Sequence, residues 1–422
     1  MNDAPLYTVR GFLSLHPATR RLILTRLLRS IAQGALAVDF TLYLRAKAWS
    51  APEIGLLLMA GGLTGAALSL GIGVTSDRMG RKGFLLIYEA GLVVGTALLL
   101  LFPFAWTIVL TAALFGFGRG ANGASGPFAP AEQAWLAQHV PGARRGAVFS
   151  FNAALQFWGM GIGSGLAAVL PRLLPGVTGA AAYVPLFILN LLVAVINFFQ
   201  ILSIKEQREA PTPDQTAPEA ERERGISRRE NRALTLLTIV NMTNSLGVGL
   251  VAPLLPYWFN IRFGAGPEVI GPVYGLTFLL TGLSSLYVGK LTETVGLTRS
   301  IVLPRLLGVL MMLAMPFMPT FSLAAILYVA RSVVNRSSVG ARQAFSVGLV
   351  RDRRRGFASS LNAVSWNVPA ALGPAIGGWL IGLGSLYWPF LLASGLQLAY
   401  VILFGSLLGR YDTTAQGRQA AP

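Results

Sequence analysis

The sequence predicts an all-α integral membrane protein whose twelve transmembrane helices form two pseudo-symmetric six-helix bundles. Three observations support this prediction: the composition, the number of apolar runs and the distribution of basic residues among the loops. Hydrophobic residues make up 54% of the 422 residues and charged residues 12%, which is about half the charged fraction of a soluble domain. A lipid bilayer is therefore the solvent that suits this composition.

Apolar runs of about 20 residues are long enough to cross the hydrocarbon core of a bilayer. Counting such runs gives six spans in the first half of the chain and six in the second. They are 22–44, 53–75, 84–102, 105–129, 147–170, 183–203, 233–258, 269–289, 300–318, 322–348, 357–383 and 386–408.

Basic residues alternate between the two sides of the predicted membrane. The predicted inner loops hold 23 of the 34 Lys and Arg residues, whereas the outer loops hold four: Arg45, Lys47, Arg172 and Arg262. Because cytoplasmic loops are enriched in Lys and Arg, this pattern predicts a multi-pass protein of the cell (cytoplasmic) membrane with both termini in the cytoplasm. The same topology accounts for the net charge of +17, so nucleic acid is not expected as a partner.

One long hydrophilic stretch, 204–232, interrupts the apolar pattern. It contains three prolines and many charged residues and can bury little apolar surface, so it predicts a cytoplasmic linker that could carry a short surface helix. The linker separates an amino-terminal bundle at 1–203 from a carboxy-terminal bundle at 233–422, which ends in a short cytoplasmic tail.

The two halves repeat each other. The interval along the chain from Gly55 to Gly271 is the same as the interval from Gly73 to Gly289. A nearly equal interval separates Arg119 from a similarly placed arginine, Arg331. Parallel six-helix repeats are a transporter architecture in which the substrate site lies between the halves, near the membrane midplane.

The loop after the second span carries the most specific motif. It reads GVTSDRMGRK and matches all defining positions of the pattern G-x-x-x-D-R-x-G-R-[RK], at Gly73, Asp77, Arg78, Gly80, Arg81 and Lys82. This loop resembles the signature cytoplasmic loop of the major facilitator superfamily. The copy in the second half, which includes Glu293, is degenerate.

The resemblance covers essentially the whole chain and implies a secondary active transporter that moves a small molecule by alternating access. In that family the signature loop gates the cytoplasmic side by joining the two halves. The resemblance implies a monomer in the lipid bilayer, without a cofactor.

Two charged residues inside the predicted spans are candidates for proton coupling. The fourth span contains Arg119 in RGANG, which resembles the family's R-x-x-Q-G motif with Asn122 in place of Gln, and the family associates this arginine with proton coupling. Asp39 is the one acid in the middle of an early span. A buried carboxyl near an arginine can be poised to exchange a proton, so we expect Asp39 to carry the proton and Arg119 to tune it. The alternative is that Asp39 only positions Arg119 or faces outer water.

Several polar and aromatic residues interrupt the apolar spans and are candidates for lining the substrate cavity. They are Tyr43, Asn122, Gln156, Asn241, Asn244, Tyr257, Arg331, Asn335 and Trp366. Arg119 and Arg331 favour an anionic or polar substrate, whereas Asp39 and the aromatic residues favour a cation or an amphipathic drug. The sequence therefore predicts either proton-coupled export of amphipathic compounds or drugs, or a proton-linked importer or facilitator of a polar or anionic metabolite.

Other function classes find little support. The chain has no cysteine, and its two histidines lie in predicted loops, so no metal site is expected. A nucleotide-binding G-x-x-x-x-G-K-[ST] motif and an H-E-x-x-H motif are both missing from the sequence. The sequence therefore does not predict an enzyme. The glycine-rich runs at 159–165 and 373–378 predict close helix packing, although the proline of the second run belongs on the fifth span in the family's antiporters.

Overall fold

Helices make up nearly all of the described part of this computed structural model. The structure describes residues 8–79, 81–117, 132–133, 135–136, 139–140, 142–205, 220–295, 297–336 and 355–408. The helices are α1 (Val9–Leu13), α2 (Pro17–Ala46), α3 (Ala51–Met79), α4 (Arg81–Leu101), α5 (Ala105–Phe115), α6 (Gly142–Ala167), α7 (Val184–Leu202), α8 (Ala220–Val251), α9 (Leu255–Phe263), α10 (Pro267–Val295), α11 (Leu297–Ala314), α12 (Phe321–Arg336), α13 (Arg355–Gly382) and α14 (Trp388–Leu403).

Each of the twelve predicted spans overlaps at least one of these helices. Within the described residues, six segments are long and apolar enough to cross a membrane, and three shorter apolar helices accompany them. Large apolar side chains such as Ile87, which is 73% exposed, cover the outer surface. An apolar exterior of this kind requires lipid around it, so the prediction of an all-α membrane fold is confirmed.

Two helices differ from the predicted spans for identifiable reasons. The fourth span was predicted to continue to 129, but α5 ends at Phe115, where Gly116 adopts a left-handed conformation (φ 67°) and its N–H donates to the carbonyl of Ala112. Glycine adopts this conformation without steric cost. In the seventh span, a 3₁₀ turn at Ala252–Leu254 separates α8 from α9, at a proline that has no N–H for the helical ladder.

The predicted linker is partly helical. Helix α8 begins at Ala220, so residues 220–232 extend the seventh span towards the predicted cytoplasm. The segment from 206 to 219 lies outside the described residues.

Glycines allow close packing between α2 and α6 in the first half. Gly159 and Gly163 of α6 lie against the backbone of α2 at Leu27 and Ile31. Gly34 of α2 lies in turn against the backbone of α6. The close packing predicted for the glycine-rich run at 159–165 is thereby confirmed for two of its members.

We expect Gly163→Ala to destabilise the protein by about 1–3 kcal/mol, because the added methyl would overlap the carbonyl of Ile31. Gly165→Ala is the matched control: a Cβ there meets nothing within 4 Å, and alanine is the better helix former by about 1 kcal/mol. Thermal unfolding of the two purified variants checks the prediction. Equal melting temperatures would contradict the tight contact at Gly163.

Candidate functional site: a sealed interface with a buried carboxyl

The two halves meet closely along two helix pairs, α3 with α13 and α6 with α10. Gly55 of α3 packs on the backbone of Pro374, and Gly271 of α10 packs on the backbone of Ser164. These contacts lie in the turns nearest the predicted outer side. The helices of the two halves are therefore in direct backbone contact on that side.

Polar contacts join the outer ends of the halves as well. Arg45, at the end of α2, donates to the side chain of Asn260 and lies over the ring of Tyr257, 5.8 Å from its centroid. The exposed pair Arg172–Glu268, with 3.9 Å between Nη2 and Oε2, bridges the same side. We call these contacts, together with the glycine contacts at Gly55 and Gly271, the outer seal.

Asp39 lies beneath the outer seal. Its side chain is fully buried, and neither carboxyl oxygen has a hydrogen-bond partner among the described residues. Tyr183 and Glu268, on the two sides of the interface, are close enough to interact with it electrostatically. Removing an unpaired carboxylate from water costs several kcal/mol, so this arrangement suits a carboxyl that carries a proton.

Aromatic side chains surround this part of α2. Tyr43 is buried and packs edge-on against Phe187, with ring centroids 4.9 Å apart, and against Tyr183 at 6.2 Å. Tyr257, from the second half, lies against Arg45. The sequence-predicted residues Asp39, Tyr43 and Tyr257 are thus placed around the outer part of α2.

A buried ion network lies deeper in the first half. Arg29 donates to Glu89 (2.6 Å) and to Glu132 (2.8 Å), and Nη1 of Arg26 lies 3.7 Å from Glu132. Arg26 also donates to the predicted cavity residue Gln156. The formal charges of the two arginines and two glutamates cancel, which allows all four to be buried.

Sequence analysis did not identify this network as a site. Glu89 and Glu132 are both buried, so neither carboxylate is solvated. The sequence feature that could have revealed the network is the pair Arg26 and Arg29, which lie one helical turn apart within a predicted span. An arginine at that depth requires a partner, but its partner is distant in sequence.

Three predicted cavity residues of the second half contact residues of their own bundle. Asn244 accepts from Arg305 of α11 (3.4 Å), and Arg331 donates to Gln397 of α14 (3.2 Å). Asn335 is buried against Gly308. Asn241 is buried in α8 and Trp366 is partly buried in α13.

The signature loop is described in part. Gly73, Asp77 and Arg78 belong to the last turns of α3, Arg81 begins α4, and Glu293 lies near the end of α10. Lys82 donates to the carbonyl of Leu202 at the end of α7 (2.7 Å). Gly80, Arg119 and Asn122 lie outside the described residues, so the pairing of Asp39 with Arg119 stays a prediction.

A model of the family described as "Major Facilitator Superfamily" matches residues 22–240 and again residues 237–421. The chain belongs to the Major Facilitator Superfamily. The two matched segments correspond to the two six-helix repeats, and membership of the family establishes a multi-pass membrane transporter. The resemblance inferred from the signature loop is confirmed.

This superfamily member is similar to known proteins over most of its length. An uncharacterized membrane protein of Saccharomyces cerevisiae, YJR124C, is 22% identical over 90% of this chain and 92% of its own length. The crystal structure of the nucleoside transporter NupG has a TM-score of 0.70 at 11% identity, covering 92% of this chain and 99% of that one. The D-xylose-proton symporter has a TM-score of 0.67 at 12% identity, covering 92% and 97%. At these identities the structures establish the fold alone.

A histidine pair at the start of α2 gives this transporter a pH-dependent contact outside the spans. His16 caps α2 by accepting from the N–H of Ala18 (3.3 Å), and its ring stacks on His139 with centroids 4.9 Å apart. Partial burial, His139 and Arg20 lower the pKa of His16 from its ordinary value of 6.5.

Folding therefore favours the neutral form of His16. Its contribution to stability is fully present above about pH 6.5 and is lost as the pH falls towards the lowered pKa. We expect the wild type to lose more thermal stability than His16→Asn between about pH 7.5 and pH 5.5, since asparagine keeps the helix cap but does not titrate. Equal losses would contradict the prediction.

Proposed function

We propose that the protein is a proton-coupled antiporter that exports small amphipathic compounds or drugs across the cell membrane by alternating access. The observation that carries this proposal is Asp39, a fully buried carboxyl without a hydrogen-bond partner among the described residues, directly beneath the closed outer seal.

The proposed coupling follows from the cost of burying charge. With the outer seal closed, ionised Asp39 would be an unpaired charge in a low-dielectric interior, so closure favours the protonated form. When the seal opens, outer water can reach the carboxyl and supply a proton. Closing the seal then carries that proton across, and the proton leaves on the cytoplasmic side. In this proposal Arg119 supplies a positive charge to the carboxyl in the state that opens to the cytoplasm, which would favour this release.

The aromatic surroundings support an amphipathic substrate. Tyr43, one helical turn after Asp39, packs against Tyr183 and Phe187, and Tyr257 adds a ring from the second half. Aromatic faces attract organic cations and apolar groups. The substrate would therefore contact both halves, with Gln156, Asn241 and Trp366 as further candidates for the cavity wall.

A polar or anionic metabolite is the second candidate substrate class. The observation that favours it is the depth of Arg331 in the second half, where this buried arginine donates to Gln397 of α14. A proton-linked importer or a facilitator would fit this alternative. The names of two fold neighbours refer to a nucleoside and to D-xylose. Both are polar compounds.

We also propose that the protein functions as a monomer with both termini in the cytoplasm, with 1–203 and 233–422 as its two bundles and 204–232 as the linker. In this arrangement, Gly73, Asp77, Arg78, Gly80, Arg81, Lys82 and Glu293 form the inner gate.

Proton flux in proteoliposomes tests the proposed function. Purified protein is reconstituted with an interior pH dye, and drugs, sugars and organic acids are added in turn. Antiport predicts that one class of amphipathic compound triggers proton movement opposite to its own. Proton movement in the same direction as a sugar or an organic acid would support the importer instead. Substrate equilibration without any proton movement would contradict coupling.

A further inference from the structure

Two basic side chains from different helices meet at the carboxyl end of α7. Arg21 of α2 donates to the carbonyl of Ser203 (2.6 Å), and Lys82 of α4 donates to the carbonyl of Leu202 (2.7 Å). Helix α7 ends at Leu202, so these are consecutive carbonyls at its C-terminus. Lys205, three positions after Leu202, is exposed. Three basic residues therefore lie at this end of the first half.

Helix capping explains one part of this arrangement. Helix α7 has no basic residue in its own last turn, and the last carbonyls of a helix have no acceptor role within it. Arg21 and Lys82 therefore stabilise the end of α7. Both hydrogen bonds are exposed, and one carbonyl takes up only one of the five N–H donors of a guanidinium. An anion can thus reach both positive charges from outside the bundle.

An exposed apolar surface continues from these charges along α2 and α7. The two helices are joined where the hydroxyl of Thr25 donates to Gln200 (3.2 Å). The residues next to this contact, Leu24 and Phe199, are 39% and 61% exposed. Leu24 lies three positions after Arg21, on the same face of α2. The surface is therefore cationic at one end and apolar along its length.

We propose that this surface binds one anionic glycerophospholipid, with its phosphate between Arg21 and Lys82 and an acyl chain along Leu24 and Phe199. A guanidinium matches the geometry of a phosphate, and an ammonium adds a point charge. Basic pockets between transmembrane helices are typical sites for acidic lipid headgroups. In the predicted topology the lipid belongs to the cytoplasmic leaflet. This inference is independent of the proposed export function.

Native mass spectrometry of the full-length protein tests this site, because it counts bound lipids directly. The protein is released from detergent that contains increasing amounts of phosphatidylglycerol or, separately, of phosphatidylcholine with the same acyl chains. We expect the first phosphatidylglycerol to bind saturably and about 30-fold more tightly than phosphatidylcholine, the difference expected when two basic residues lie beside an anionic lipid.

Variants separate a built site from general attraction to a basic protein. Arg21→Gln and Lys82→Gln should each weaken the binding of phosphatidylglycerol about fivefold, and the double variant about 30-fold. Lys47→Gln is the matched control. Lys47 is an exposed lysine that also donates to a backbone carbonyl, that of Pro103 (2.7 Å), but at the opposite end of α2. This variant should bind the lipid as the wild type does.

Four outcomes would overturn the proposal. They are equal affinities of the wild type for the two lipids, unchanged affinity in the single and double variants, equal losses in Lys47→Gln and Lys82→Gln, and displacement of the lipid by sodium phosphate at comparable concentration. The last result would assign the site to free phosphate. The comparison of the two lipids requires no variant, so it decides the proposal even if the double variant fails to fold. Because the readout is bound lipid, none of these results depends on whether the protein exports amphipathic compounds.

Discussion

We expect Asp39→Asn to abolish proton-driven uphill transport while leaving expression and substrate counterflow intact. Asparagine has nearly the same shape and remains neutral at every pH, so the variant resembles the protonated form of Asp39 that closure of the outer seal favours. The substrate can still cross, because its movement through alternating states requires no titration. A proton can no longer be carried, and we expect the initial rate of proton-driven uphill transport to fall at least about 100-fold, as for loss of an essential proton-transfer group.

The measurement is substrate accumulation in proteoliposomes with an imposed pH gradient, compared with counterflow without a gradient. Glu53→Gln is the matched control. Glu53 is another carboxyl on the predicted outer side, but it accepts from the N–H and hydroxyl of Ser50 at the start of α3, a capping role that glutamine also performs. Unchanged uphill transport in Asp39→Asn would remove Asp39 from the coupling mechanism. Loss of counterflow together with uphill transport would indicate a structural role.

The second large effect is expected at the ion network of the first half. Arg29→Met leaves Glu89 and Glu132 buried with Arg26 as the remaining arginine of the network. Removing one member of a buried ion pair typically costs about 3–5 kcal/mol, and we expect a loss of that size. The change should appear as a lower melting temperature and a poorer yield of folded protein.

A double variant tests whether charge imbalance is the cause. Arg29→Met with Glu89→Met leaves Arg26 and Glu132, which are again balanced, and should recover most of the lost stability. Arg172→Gln removes an exposed pair with Glu268 and should cost at most about 1 kcal/mol. A double variant that is less stable than Arg29→Met would show that the specific hydrogen bonds of Arg29 and Glu89 matter more than the balance of charge.

The two halves use equivalent positions differently. In the first half, Arg29 and Glu89 form an ion pair between α2 and α4, and in the second half Asn244 and Arg305 form an amide contact between α8 and α11. Equivalent helices in the two halves are therefore joined by a polar contact in both cases. The contact is an ion pair in the first half and an arginine–amide hydrogen bond in the second.

The sequence alone determined the architecture of this protein. Apolar runs of the length of a bilayer predicted twelve spans, and each overlaps a helix, because a chain in lipid has to satisfy its backbone hydrogen bonds within each segment. The constant spacing of paired glycines such as Gly55 and Gly271 predicted the repeat. The signature loop predicted the superfamily, since its spacing of glycines and charges is specific.

The tertiary structure decided which polar residues meet. Sequence reasoning identified Asp39 as exceptional, but its burial beneath the outer seal depends on contacts between helices from opposite halves of the chain. The partners of Arg29 are Glu89 on α4 and Glu132, at separations that no local pattern encodes. Nothing in the sequence distinguished Asn244 and Arg331 from the other candidates for the cavity. The structure shows that Asn244 contacts α11 and that Arg331 contacts α14. Spans follow from local hydropathy, whereas the pairing of buried charges follows from how the helices pack.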